Sequence, residues 1–199
     1  MSHTPVTKRE TAKLERRTEL LRAAGELFGR SGFANVSLED LGKEVGISGP
    51  AVYRHFPNKS AVLATLLIDV SIHLLEGGQK VSEGGRPPTE TLEDLVAFHA
   101  DFAFSSPEVI RIQDREWRNL EPADLERVRD LQLRYISLWA DQLEKLHPNE
   151  TASDARFRAR SVFGLLNSTP HTVGGTETKV SARKKLLSSL ALAALTADA

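Results

Sequence analysis

Apolar positions recur at helical spacing along nearly the whole chain, and no segment alternates with the two-residue period of a strand. Leu20, Ala24, Leu27 and Phe28 fall at i, i+4, i+7 and i+8, which predicts a helix over residues 8 to 30 with one buried face. Leu38, Leu41 and Val45 mark a short second helix. Ser37 before it is a good N-cap, and Glu39 and Asp40 put negative charge where the helix dipole favours it. Gly46 stands where a residue of positive φ would end that helix. Ser48 then caps a third helix with Pro50 in its first turn, where a missing N–H costs little, and Val52 and Phe56 anchor it to a core.

A fourth helix opens at Lys59 and carries Val62, Leu63, Leu66, Leu67, Val70 and Leu74, apolar on more than one side as befits an element packed between two parts of a protein. Residues 76–88 hold four glycines and two prolines and predict a loop, the clearest break in the chain. Helical patterns resume at Thr89, at Val109 after Ser105-Ser106-Pro107, at Pro122, at Ser153 and at residue 177. The expectation is an all-α protein of about nine helices.

Two short helices joined by a tight turn, the second polar and cationic at its end, follow the helix-turn-helix plan, whose second helix enters the major groove of DNA. Tyr53, Arg54, His55 and Lys59 put four groups able to reach phosphates or base edges within seven positions. Leu27-Phe28, Gly32-Phe33, Ser37-Leu38, Val45-Gly46-Ile47-Ser48, Tyr53-Arg54-His55-Phe56 and Lys59 follow in this order across residues 14 to 70. In these motifs the chain resembles the tetracycline-repressor (TetR/AcrR) family of bacterial transcriptional regulators.

The resemblance implies a three-helix DNA-binding domain over residues 1–58 and an effector-binding, dimerising helical bundle over residues 59–199. It places Gly49, Pro50, Ala51 and Arg54 against base edges and Tyr53, His55 and Lys59 on phosphates, with Ser37 and Ser48 in the same DNA-binding set. Gly49 and Ala51 are small, so base-specific hydrogen bonding falls on Arg54, which suits guanine. The implied partners are double-stranded operator DNA, a small-molecule effector and a second copy of the chain. In the family the last two helices pair with their copies, and here Ala155, Ala159, Val162, Ala191, Ala194 and Leu195 offer small apolar faces for that. The segment Asp114-Arg115-Glu116-Trp117-Arg118 corresponds to one that relays effector occupancy to the DNA-binding end, or is simply a solvated charged face.

Charge supports this division. Net charge is −1, but residues 1 to 60 hold ten Lys/Arg against seven Asp/Glu while the remainder holds sixteen against twenty, a basic end on an acidic body. The cationic start (Lys8, Arg9, Lys13, Arg16, Arg17) is either a solvated helix paired with Glu10 and Glu15 or an arm that reaches DNA. With no Cys, disulfides and thiolate chemistry are excluded. No His pair at metal-binding spacing, no Gly-x-Ser-x-Gly elbow and no Gly-rich phosphate loop appears, so neither enzyme activity, nor a metal, nor a cofactor is expected. The N-terminus lacks the apolar run of a signal peptide and no apolar stretch approaches bilayer-spanning length, so a cytoplasmic protein without a membrane partner is expected.

Phe102, Tyr135, Trp139 and Phe163 fall at helical spacing, as core or as the border of a cavity between helices. Asn167 and His171 straddle a break at Pro170, where they either cap a helix or give such a cavity its polar end. With Trp117 these six form the candidate effector set. The expected function is a repressor released from its operator by a small hydrophobic or acyl-bearing effector. The alternative is a ligand-independent activator or architectural DNA binder, which would lack a sizeable buried cavity.

Overall fold

A computed structural model describes residues 7–172 and 177–198. Its helices are α1 (Lys8–Ser31), α2 (Leu38–Glu44), α3 (Gly49–Val52), α4 (Lys59–Ser82), α5 (Pro88–Ser105), α6 (Pro107–Glu116), α7 (Pro122–Leu146), α8 (Ala152–Leu166), the single turn α9 (Thr169–Thr172) and α10 (Glu177–Thr196). Among the described residues there is no strand, as the periodicity predicts.

The helix starts are set by local chemistry. Thr7 with Glu10, Ser37 with Asp40 and Thr151 with Asp154 form reciprocal capping boxes, and the Asn58 side chain accepts from the Ala61 amide. Pro50, Pro88, Pro107 and Pro122 stand in first turns. Ser48 occupies the N-cap of α3 in extended conformation, but its side chain makes no capping hydrogen bond. Gly32 and Gly46, at φ 82 and 71, take the left-handed turns that close α1 and α2.

α4 runs through the core, packed against α7, α5 and α1; α8 and α10 close the far side against α7 and α5. One contiguous apolar cluster extends from Leu20 on α1 to Leu195 on α10. Contrary to expectation, α4 is long and apolar enough to cross a membrane, yet over half of that window is buried inside the protein, which is the signature of a core helix.

The predicted loop over residues 76–88 shrinks to residues 83–87, because α4 continues through Gly77 and Gly78. Packing explains it. A Cβ on Gly77 would overlap the Phe98 ring of α5, and one on Gly78 would lie 2.6 Å from the Tyr135 ring of α7. Here glycine serves close helix approach rather than a turn, and burial of two aromatic rings outweighs its low helix propensity.

The small residues assigned to a dimer face are mostly committed within the chain. Ala155, Ala159 and Val162 on α8 and Ala191 and Leu195 on α10 are buried, and of that set only Ala194 is exposed. The two helices approach each other within one chain, and Arg158 of α8 and His147 after α7 donate to carbonyls of Ala194, Leu195 and Ala197 at the end of α10.

Candidate nucleic-acid interface and interior cavity

The α2–turn–α3 unit is fixed from below by α1 and α4. Val52 and Phe56 are buried, and the Arg17 guanidinium lies 4.2 Å over the Phe56 ring while donating to the His55 carbonyl at 2.9 Å and to Thr65 Oγ1 at 3.2 Å. Arg16 donates to the Val45 carbonyl at 3.1 Å and pairs with Glu19. These two cations therefore position the unit, while Lys8, Arg9 and Lys13 lie exposed along α1. Glu10 Oε2 accepts from the Thr7 amide and hydroxyl, and among the described residues Glu10 makes no ion pair with these cations.

On the outer side of α3, Pro50, Tyr53 and Arg54 are exposed, and Gly49 and Ala51 are half-buried. Glu39 Cγ would lie 3.1 Å from a Cβ at Gly49, so a larger residue there would have to displace Glu39. Ser37 is engaged with Asp40 as a cap, its hydroxyl donating at 2.6 Å, and Ser48 is exposed. Burial holds the His55 pKa below its ordinary value, and Lys13, Arg17, Arg16 and Arg54 push it the same way. Lys13, Arg16, Arg17 and Arg54 thus gather four cations around His55 on the α1–α3 surface. Lys59 departs from a purely phosphate-facing role, because its ammonium donates to the carbonyls of Phe33 at 2.6 Å and Ala34 at 3.3 Å and sits 4.4 Å over the Phe33 ring.

A cavity of about 220 Å³ lies between α4, α5, α6, α7 and α8. Phe102, Tyr135, Phe163 and Asn167 from the candidate set line it. Trp139 does not; it is fully buried behind Phe163, with ring centres 4.8 Å apart. Trp117 lines a neighbouring cavity of about 270 Å³, 5.0 Å under the Arg129 guanidinium. Gln113 and Gln132 line both spaces and form the partition. His171 belongs to α9, and its side chain lies outside the described residues.

Sequence reasoning missed His99, Gln113, Gln132 and Arg160, all in the cavity wall. His99 is the buried centre of a relay: its Nδ1 lies 3.3 Å from the Tyr135 hydroxyl and its Nε2 3.0 Å from Asn167 Oδ1. Since that amide oxygen can only accept, Nε2 carries the proton and Nδ1 accepts from Tyr135. Burial lowers the His99 pKa to about 4 and raises that of Tyr135, so both stay neutral. Spacing gave one signal that could have found Arg160: with Phe163 and Asn167 it falls at i, i+3 and i+7 on α8.

Comparison with known proteins settles the family. Residues 20–66 match the profile described as bacterial regulatory proteins, tetR family, and residues 85–171 match a tetracyclin repressor-like C-terminal domain. The chain belongs to the tetR family of bacterial regulatory proteins. That family is one of DNA-binding transcriptional regulators. Nucleoid occlusion factor SlmA of Aliivibrio fischeri is 30% identical over 101 residues, covering 50% of this chain and 52% of that protein. The HTH-type transcriptional repressor KstR2 of Rhodococcus jostii is 27% identical over 135 residues, covering 67% of this chain and 66% of that one. The chain thus spans about half the length of the SlmA relatives it matches. In fold it is similar to a TetR-family regulator of Bordetella parapertussis, with a TM-score of 0.79 at 22% identity over 88% of this chain and 93% of that one. It is similar also to the ketosteroid transcriptional regulator KstR2 of Mycobacterium tuberculosis, with a TM-score of 0.76 at 20% identity over 92% and 96%.

Proposed function

We propose that this protein is a cytoplasmic, homodimeric repressor that leaves its operator when a small effector enters the α4–α8 cavity. In this reading residues 1–58 bind DNA, with Arg54 reading a base edge and Tyr53, His55 and Lys59 near phosphates, and residues 59–199 hold the effector and the second copy. One observation carries the switch. Helix α6 supplies Gln113 to the cavity wall and, one turn later, Glu116 Oε1 to the Phe33 amide at 3.2 Å, beside α2. An effector that moves α6 therefore acts on the turn leading into the DNA-binding unit.

Dimerisation draws on exposed apolar residues of adjacent helices: Phe157 of α8 is 72% exposed, and Leu186 and Leu190 of α10 are 60% and 50% exposed. The repressor mode accords with the name of the Rhodococcus relative. An apolar effector accords with aromatic walls, and with neighbours named a ketosteroid regulator and a fatty acid degradation regulator. A whole coenzyme A thioester exceeds the cavity, so only an acyl portion would enter it. The likeness to a protein named a nucleoid occlusion factor accords with a second reading, an architectural DNA-binding protein, and the polar-ended cavity weighs against a version of it that takes no ligand. Selecting duplexes from a random library with the full chain tests the proposal. Enrichment of a site with two symmetry-related halves supports it, and an asymmetric single half-site contradicts the dimeric mode.

A further inference from the structure

We propose that the cavity takes a small, single-ring carboxylate, its anionic group on Arg160 and a second acceptor atom on the Asn167 amide. This rests on the reading of the cavity as the effector site and narrows the ligand class.

The register of α8 brings the parts together. Arg160, Phe163 and Asn167 share one face, so a single helix delivers a cation, an aromatic wall and an amide to one space. Arg158, two residues earlier, is fully used: it pairs with Glu150 and donates at 2.9 Å to the carbonyls of Ala194 and Ala197. Arg160 differs. It stands exposed at the rim, and among the described residues no carboxylate lies within ion-pairing distance of it. No Asp or Glu lines the cavity, so a cationic ligand would find no counter-charge there and would face the Arg160 guanidinium.

The inner end points the same way. His99 spends both ring nitrogens on Tyr135 and Asn167, and Asn167 spends its oxygen on His99. What Asn167 has left is its two amide N–H donors. The guanidinium and this amide both donate, so the ligand has to accept, and a carboxylate suits the planar fork of an arginine. Gln113 and Gln132 serve either polarity and leave a further substituent open.

Size limits the body of the ligand. An apolar cavity of about 150 Å³ holds one benzene, and this one measures about 220 Å³. One ring with a short polar substituent fits, with Phe102, Tyr135 and Phe163 as its walls.

Calorimetric titration of the full chain tests this with 3-hydroxybenzoate and 4-hydroxybenzoate, whose hydroxyl oxygen supplies the second acceptor, against their near-isosteric neutral partners 3-hydroxybenzamide and methyl 4-hydroxybenzoate. The carboxylates should bind at least about tenfold more tightly, Arg160→Gln should abolish that preference, and Arg160→Lys should keep part of it. Equal binding of acids and neutral isosteres, no binding by either acid, or an undiminished preference in Arg160→Gln overturns the inference. Decanol and decanoate, titrated beside them with operator DNA present, separate the two levels. If either releases the operator while the single-ring acids do not bind, the effector site stands and its assigned ligand falls. If no compound in either set binds or releases operator, both fall.

Discussion

The Phe33 amide donates to Glu116 Oε1 at 3.2 Å, joining two residues 83 positions apart in sequence. The same Phe33 offers its carbonyl to the Lys59 ammonium at 2.6 Å. The peptide that leads into α2 is therefore gripped by α6 on one side and by the start of α4 on the other. Gly29 reinforces the junction, since a Cβ there would stand 2.7 Å from Glu108 Cβ: α1 and α6 meet with no room to spare. Close-packed contacts of this kind transmit displacement instead of absorbing it.

Glu116→Ala removes a charged acceptor from a part-buried amide and should cost about 1–2 kcal/mol of stability. Ligand-free operator affinity should change little, whereas the loss of affinity caused by an effector should shrink. Urea denaturation and operator titrations with and without effector measure the two effects separately. A full effector response in this variant would place the coupling elsewhere.

Arg54 and Lys59 should separate on DNA. Arg54→Ala should cost roughly 1–3 kcal/mol and relax preference at one base pair per half-site. Lys59→Ala should weaken all sequences about equally and also lower the denaturation midpoint, because its ammonium holds Phe33 and Ala34 as well. Competition binding with single-base operator variants, combined with thermal unfolding, distinguishes them. If Arg54→Ala leaves base preference unchanged, a different residue reads the bases.

For assembly the exposed and buried faces predict opposite outcomes. Phe157→Asp and Leu190→Asp should yield folded monomers, since both side chains are at least half exposed in the single chain. Ala191→Asp should instead unfold the protein, because that site is fully buried between α8 and α10 and leaves the charge unpaired. Sedimentation velocity and circular dichroism read the two results.

Acidification should destabilise the protein through His99. Its folded pKa of about 4 lies below the unfolded value near 6.5, so between these values the unfolded state binds more protons. Stability is fully present above about pH 6.5 and falls as pH drops toward 4, by roughly 3 kcal/mol for the whole interval. His99→Gln should flatten that part of the profile in urea midpoints taken from pH 7.5 to 4.5, and an unchanged slope would show that His99 does not carry it.

Most elements could be read from spacing and caps because those signals are local: Ser37 three residues before Asp40, Gly46 after Val45, Pro122 opening a 25-residue helix. What escaped depends on partners far along the chain. Gly77 and Gly78 look like a loop until Phe98 and Tyr135 are seen to need their missing side chains. The small residues of α8 and α10 look like a dimer seam until each helix is found to bury the other. Trp139 and Phe163 are indistinguishable aromatics in sequence, yet one is wall and the other lies behind it. His99 sat unremarked on an apolar face because its partners Tyr135 and Asn167 are 36 and 68 residues away.

The proposed switch requires linkage between the cavity and the DNA-binding end. Operator affinity measured by fluorescence anisotropy with and without saturating effector, and effector affinity measured calorimetrically with and without operator, form one closed thermodynamic cycle. Effector should weaken operator binding by about 5–150-fold, and operator should weaken effector binding by the same factor. An effector that fills the cavity yet binds with equal affinity to free and operator-bound protein would contradict it.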